Sequence, residues 1–76
     1  MPNRLNNWAY RDVESFLKDN GFRLNHIRGS HYYFVGHIDG KHRQVCVPYH
    51  SRNAFKPRTL KGVILQSGIK KEKWLD

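Results

Sequence analysis

The stretch that decides the fold is HYYFVGHIDGKHRQVCVP, residues 31–48. Aromatic and branched residues alternate with polar ones on both sides of Asp39-Gly40, a dipeptide typical of a two-residue hairpin turn. Closing the hairpin on that turn places Phe34 opposite Val45, so apolar residues of the two segments meet on one face. The pattern therefore predicts two antiparallel strands, over residues 31–38 and 41–48.

A third strand is predicted immediately upstream, over residues 22–27, where apolar residues again alternate with polar ones. If residues 28–30 form a three-residue loop, Leu24 lies beside Phe34 and His26 beside Tyr32. The apolar row Leu24, Phe34 and Val45 then crosses all three strands on the face that helices cover. The other face is expected to carry Asn25, His31, Tyr33 and Cys46, with His31 across from Pro48.

The segment before the strands predicts a helix over residues 7–20, because its apolar residues recur at helical spacing. Asn7 is the expected N-cap. Gly21 is expected to end the helix in a Schellman motif, with Phe22 folding back on Leu17.

The segment after the strands predicts a second helix over residues 58–67, with Thr59 as the expected N-cap. Gly68 is expected to end it, and Ile69 to fold back on Ile64 in the same Schellman geometry. Trp74 in the tail gives one further helical turn something to bury.

This order of elements predicts one α+β domain over residues 1–76. Two helices cover one face of a three-stranded antiparallel sheet, and the other face is free to meet a ligand. Double-stranded-RNA-binding domains have the same α-β-β-β-α order.

Charge indicates the kind of partner. The 76 residues include 14 Lys and Arg against 6 Asp and Glu, a net charge of +8. Such a balance is typical of proteins that meet phosphate polyanions or an acidic partner. Cys46 is the only cysteine, so an internal disulfide is excluded and secretion is not indicated. Neither a signal peptide nor a membrane span is evident, and we expect a soluble, cytoplasmic protein.

The spacing of the five histidines argues against a metal site, and no cofactor is expected. His31 and His37 lie six positions apart on one predicted strand, which separates them by about 20 Å. His37 and His42 should face each other beside the hairpin turn, as an exposed polar pair.

His31 is the candidate catalytic residue. A glycine turn delivers it onto the first position of a strand, on the uncovered face. Cleavage of RNA through the 2′-hydroxyl needs one group to take a proton and one to give a proton, and imidazole does both near neutral pH. The side chains expected to bind RNA or its phosphates are Arg28, Ser30, Tyr33, Tyr49, Lys56, Arg58 and Lys61.

Three ordered motifs resemble one known family. They are Gly29-Ser30-His31 with Phe34 three positions later, then residues 45–50 (VCVPYH), then residues 56–60 (KPRTL) leading to 64–69 (ILQSGI). The chain is similar over residues 13–69 to the HicA toxins of bacterial and archaeal type II toxin–antitoxin systems.

The resemblance to HicA toxins implies a fold, an activity and a partner. The fold is like that of the double-stranded-RNA-binding domain. The activity is that of an mRNA interferase, an endoribonuclease that needs no metal, and a HicB antitoxin neutralises it by covering the active site. The family's Gly-Ser-His histidine corresponds to His31. The Pro-x-His histidine corresponds to His50, for which we suggest a helper role in catalysis or phosphate binding.

Two other functions are compatible with the sequence. One is a non-catalytic RNA-binding module on the same fold. The other is a structural protein that binds an acidic partner. Cleavage of RNA, with a His31 variant as control, separates the ribonuclease from both.

Overall fold

The computed structural model describes residues 7–49 and 53–75. The predicted order of helix, three strands and helix is confirmed, and the further helical turn in the tail is present. The elements are α1 (Tyr10–Asp19), β1 (Arg23–Arg28), β2 (His31–Ile38), β3 (Lys41–Pro48), α2 (Pro57–Ser67) and α3 (Lys71–Trp74).

The central hairpin has the predicted register. The strands form one antiparallel sheet in the order β1-β2-β3. Phe34 pairs with Val45, and His31 pairs with Pro48. Asp39 and Gly40 have φ of 53° and 79°, and positive φ at both central residues is what a type I′ hairpin turn requires.

The β1–β2 connection differs from the prediction. Arg28 pairs with His31, so the turn contains two residues where three were expected. Leu24 pairs with Phe34 as predicted, because a β-bulge between Leu24 and His26 absorbs the one-residue difference. His26 consequently pairs with Tyr33, and its predicted place beside Tyr32 is wrong.

Helix α1 begins later than predicted and ends as predicted. Its N-cap is Ala9, where Asn7 was expected, and the Ala9 N–H donates to the Asp12 carboxylate at 2.9 Å. At the other end Gly21 has φ of 86°. The Phe22 N–H donates to the Leu17 carbonyl at 2.9 Å, which is the expected Schellman bond.

Helix α2 has Lys56 as its N-cap, where Thr59 was predicted. Pro57 at the first helical position explains the earlier start, since its fixed φ suits a helix and it has no N–H to satisfy. At the other end the buried Ser67 hydroxyl donates to the Ile64 carbonyl at 2.7 Å and accepts the Ile69 N–H at 3.0 Å. The Ser67 hydroxyl therefore links the Ile69 N–H to the Ile64 carbonyl, in place of the direct bond of a Schellman motif.

The core lies between the sheet and the helices, which pack mainly against β3. β1 extends beyond this cover, and Leu24 and Ile27 are consequently 37% and 50% exposed. Buried members of the core are Trp8, Tyr10, Val13, Phe16, Leu17, Phe22, Phe34, Val45, Val47, Leu60, Val63, Ile64, Ile69 and Trp74.

Helix α2 runs antiparallel to β3. The Cys46 N–H donates to the Gln66 side-chain oxygen at 2.8 Å, and Gly68 lies against the Arg43 guanidinium. The C-terminal end of α2 is thus near the start of β3. The N-terminal end of α2 therefore lies at the end of the sheet that carries His31 and Pro48.

Candidate nucleic-acid interface and active site

His31 occupies the middle of one end of the sheet. It is the exposed first residue of β2 and pairs with Arg28 on one side and Pro48 on the other. The Tyr49 N–H donates to the Ser30 carbonyl at 2.7 Å. This bond ties the β1–β2 turn to the end of β3, so the backbone around His31 is fixed from both neighbouring strands.

The face of the sheet away from the helices is here called the open face. Within residues 7–49 and 53–75, no hydrogen bond or ring contact holds the His31 imidazole, which leaves both of its nitrogens available. By register the open face carries Arg23, His26, Arg28, His31, Tyr33, Val35, His37, His42, Gln44, Cys46 and Pro48.

His26 also lies on the open face, because the two-residue β1–β2 turn pairs it with Tyr33. The His26 ring stacks on the Tyr33 ring, with centroids 4.4 Å apart and planes at 10°. The Asn25 side-chain amide donates to His26 Nδ1 at 2.8 Å. His26 thus occupies the place beside Tyr33 that the sequence analysis gave to Asn25.

Tyr49 belongs to a cluster of three tyrosine rings at the His31 end of the sheet. Its ring centroid lies 4.8 Å from that of Tyr10 and 5.7 Å from that of Tyr32. Burial, reinforced by the nearby Glu14 carboxylate, raises the pKa of the Tyr10 phenol, whose hydroxyl donates to Glu14. Tyr49 itself is 42% exposed, so part of its anchored ring faces solvent.

The predicted phosphate-binding cations lie at the His31 end of the molecule, one in the sheet and three in α2 and its cap. Arg28 stands beside His31 on the sheet. Lys56, Arg58 and Lys61 are exposed in the N-terminal half of α2 and its cap. No Asp or Glu occurs in β1, β2, β3 or α2, so no carboxylate of these four elements opposes the cations.

The structure thus brings Arg28, Ser30, His31 and Tyr49 together and places Tyr33 two residues further along β2, on the same face as His31. His50, the proposed helper, lies outside the described residues.

The chain matches a protein-family model described as the HicA toxin of bacterial toxin–antitoxin systems, over residues 10–69 of the 76. The chain belongs to the HicA toxin family. The match runs from the first residue of α1 to the residue after the Gly68 stop, and so contains α1, the whole sheet and α2. Searches of curated proteins and of solved structures found no match.

Membership in the HicA family makes the chain the toxin of a toxin–antitoxin system, which implies an antitoxin partner. The HicA match supports the motif-based resemblance of the sequence analysis. The matched residues include both His26 and His31.

Among the described residues, no group of three or more His, Cys, Asp or Glu side chains is placed to hold a metal ion. His37 and His42 face each other as predicted, with ring centroids 5.5 Å apart. No helix in residues 7–49 and 53–75 is long and apolar enough to cross a membrane.

Sequence reasoning missed the position of His26 on the open face. That position depends on the two-residue turn at Gly29-Ser30, where a three-residue loop over residues 28–30 was expected. The available signal was Gly29-Ser30 itself, since Gly-Ser is a dipeptide typical of a two-residue hairpin turn.

Proposed function

We propose that this HicA-family toxin is an endoribonuclease, an mRNA interferase, in which His31 transfers a proton during cleavage of the phosphodiester bond. One observation carries the proposal. An exposed imidazole stands at the end of the sheet beside Arg28, where the strands and α2 contain no carboxylate. The strands and α2 therefore present positive charge and no carboxylate to an approaching phosphodiester.

The reaction requires no group beyond the side chains at this end of the sheet and the RNA itself. A base removes the proton of the 2′-hydroxyl as that oxygen attacks phosphorus, and an acid protonates the 5′-oxygen as its bond to phosphorus breaks. The products are a 2′,3′-cyclic phosphate and a free 5′-hydroxyl. Arg28 is proposed to hold phosphate oxygens, because a guanidinium can donate two hydrogen bonds to one phosphate.

RNA is proposed to lie across the His31 end of the sheet. Tyr33 and Tyr49 offer ring surface to an unpaired base, and Ser30 offers its hydroxyl to phosphate. Lys56, Arg58 and Lys61 supply positive charge from the helix layer for the backbone on either side of the cleaved bond.

The antitoxin partner is proposed to be of the HicB type and to inhibit the toxin by covering His31. The exposed position of His31 supports this, since a protein surface laid over the end of the sheet would exclude RNA. Net charge of +8 favours an antitoxin surface rich in carboxylates.

The decisive experiment incubates purified protein with RNA in EDTA and compares wild type with the His31→Ala variant. Wild type is expected to cut, and His31→Ala to lose on the order of a hundredfold or more in rate, the usual contribution of one positioned proton-transfer group. His37→Ala, which removes another exposed histidine of β2, is the matched control and should cut at the wild-type rate.

Folding and RNA binding should survive in His31→Ala, because the side chain lies outside the core. Wild-type protein that binds RNA and never cuts it would replace the ribonuclease with the RNA-binding module. A His31→Ala variant as fast as wild type would remove His31 from the mechanism.

A further inference from the structure

Cleavage through the 2′-hydroxyl uses two proton-transfer groups, and the geometry points to His26 as the second. This inference rests on the proposed ribonuclease activity. We infer that His26 is the catalytic partner of His31, with one imidazole serving as base and the other as acid across a single phosphodiester.

The two imidazoles share the open face at diagonal positions. His26 pairs with Tyr33, and His31 lies two residues before Tyr33 on β2. Diagonal neighbours on adjacent antiparallel strands are about 7–8 Å apart. Side chains at that separation, standing on the same face, can approach one phosphate from two sides.

Two contacts, with Tyr33 and with Asn25, fix the orientation of the His26 ring. Tyr33 covers one of its faces in a near-parallel stack at 4.4 Å, which restricts rotation of the ring. Asn25 engages Nδ1 at 2.8 Å, which leaves Nε2 as the nitrogen that can meet substrate.

An asparagine suits a histidine that gains and loses protons. The Asn25 amide has a donor end and an acceptor end. It donates to Nδ1 of the neutral ring that carries its proton on Nε2, and after a half-turn of the amide its oxygen accepts the Nδ1–H, which is present both in the imidazolium and in the neutral ring that has given up its Nε2 proton. Asn25 is therefore a positioning residue, able to hold the His26 ring in both protonation states.

Two histidines account for both proton transfers of the reaction. The neutral imidazole of the pair takes the 2′-hydroxyl proton as the 2′-oxygen bonds to phosphorus. The imidazolium of the pair gives its proton to the 5′-oxygen as that bond breaks. The groups that surround His26 on the open face supply positive charge or polar neutral atoms, and none is a carboxylate: Arg23, Arg28, His31, Tyr33 and Cys46.

The test replaces His26 by Phe, which retains a ring to stack on Tyr33 and removes both nitrogens. We expect His26→Phe to lose about a hundredfold or more in cleavage rate while binding uncleavable 2′-O-methyl RNA as wild type does. His37→Phe, in the other ring pair of the open face, is the matched control and should retain full activity.

Two further measurements separate proton transfer from a structural role. The pH–rate profile of wild type should be bell-shaped, and His26→Phe should lose one limb of the bell. Added imidazole should restore part of the activity of His26→Ala and none of the activity of His26→Phe, whose side chain fills the space.

The outcomes distinguish this inference from the proposed function. If wild type cuts RNA and His26→Phe cuts within about threefold of it, His26 has no catalytic role and the ribonuclease proposal stands. If His26→Phe loses cleavage and RNA binding in parallel, His26 is a binding residue and the proton-transfer role is wrong. If wild type does not cut RNA under any condition, both proposals fail.

Discussion

Removal of the Trp74 side chain should destabilise the whole domain, although α3 lies beyond the residues that match the HicA family. Trp74 is 0% exposed. Its ring centroid lies 4.2 Å from that of Phe16 on α1 and 5.4 Å from that of Trp8. The tail is thus joined to the first helix by an aromatic cluster that is part of the main core.

The size of the effect follows from burial and from one unpaired donor. Replacement of a buried Trp by Ala costs about 3–5 kcal/mol. The Trp74 indole N–H has no hydrogen-bond partner among the described residues. Removing this unpaired donor from the core regains about 1 kcal/mol or more of its desolvation penalty. We expect Trp74→Ala to lower the free energy of unfolding by about 2–4 kcal/mol, against a total of about 4–11 kcal/mol for a chain of 76 residues.

Urea unfolding followed by far-ultraviolet circular dichroism measures this change. Trp74→Phe, which retains a ring beside Phe16, should lose less than half as much. Leu65→Ala, at a position of α2 that is 80% exposed, should change the free energy by no more than about 0.5 kcal/mol. A loss below about 1 kcal/mol in Trp74→Ala, with the urea dependence unchanged, would refute the assignment of the tail to the core.

Two other predictions concern pH and salt. Because burial raises the pKa of Tyr10 in the folded state, the unfolded chain releases this proton first as pH rises above about 10, and stability falls there. Tyr10→Phe should show a shallower fall in unfolding free energy between about pH 9 and pH 11, and an equal fall would contradict the assignment. Replacing Lys56, Arg58 and Lys61 together by Ala should weaken binding to unrelated RNAs and flatten its salt dependence by about 0.7 of a unit per lost contact. An unchanged salt slope would exclude these cations from the RNA interface.

The sequence was sufficient to predict the hairpin and the order of elements, because those features depend on strong local signals. Asp39-Gly40 specified the turn, and alternation on either side specified the register. Helix starts were less predictable. Asn7 and Thr59 are good N-cap residues by type, but Asp12 and Pro57 placed the observed starts at Ala9 and Lys56.

The predicted position of His31 is confirmed, and that of His26 is wrong. His31 follows from a hairpin register fixed at its closed end, so errors do not accumulate before it. His26 depends on the number of residues in the β1–β2 turn, which is two where three were expected. A one-residue difference moves a side chain to the opposite face of a strand.

The turn and the core require registers of β1 that differ by one residue, and the bulge at Asn25 allows both. The two-residue turn pairs Arg28 with His31, whereas the apolar row of the core pairs Leu24 with Phe34. A regular ladder from Arg28 to Leu24 would satisfy only the first requirement and would turn Leu24 to the open face. The bulge satisfies both by adding one residue between Leu24 and His26. The two-residue turn alone puts His26 on the open face, bonded to Asn25 and stacked on Tyr33, and the bulge returns Leu24 to the apolar row without moving His26, so β1 packs on the core and still presents an imidazole near His31.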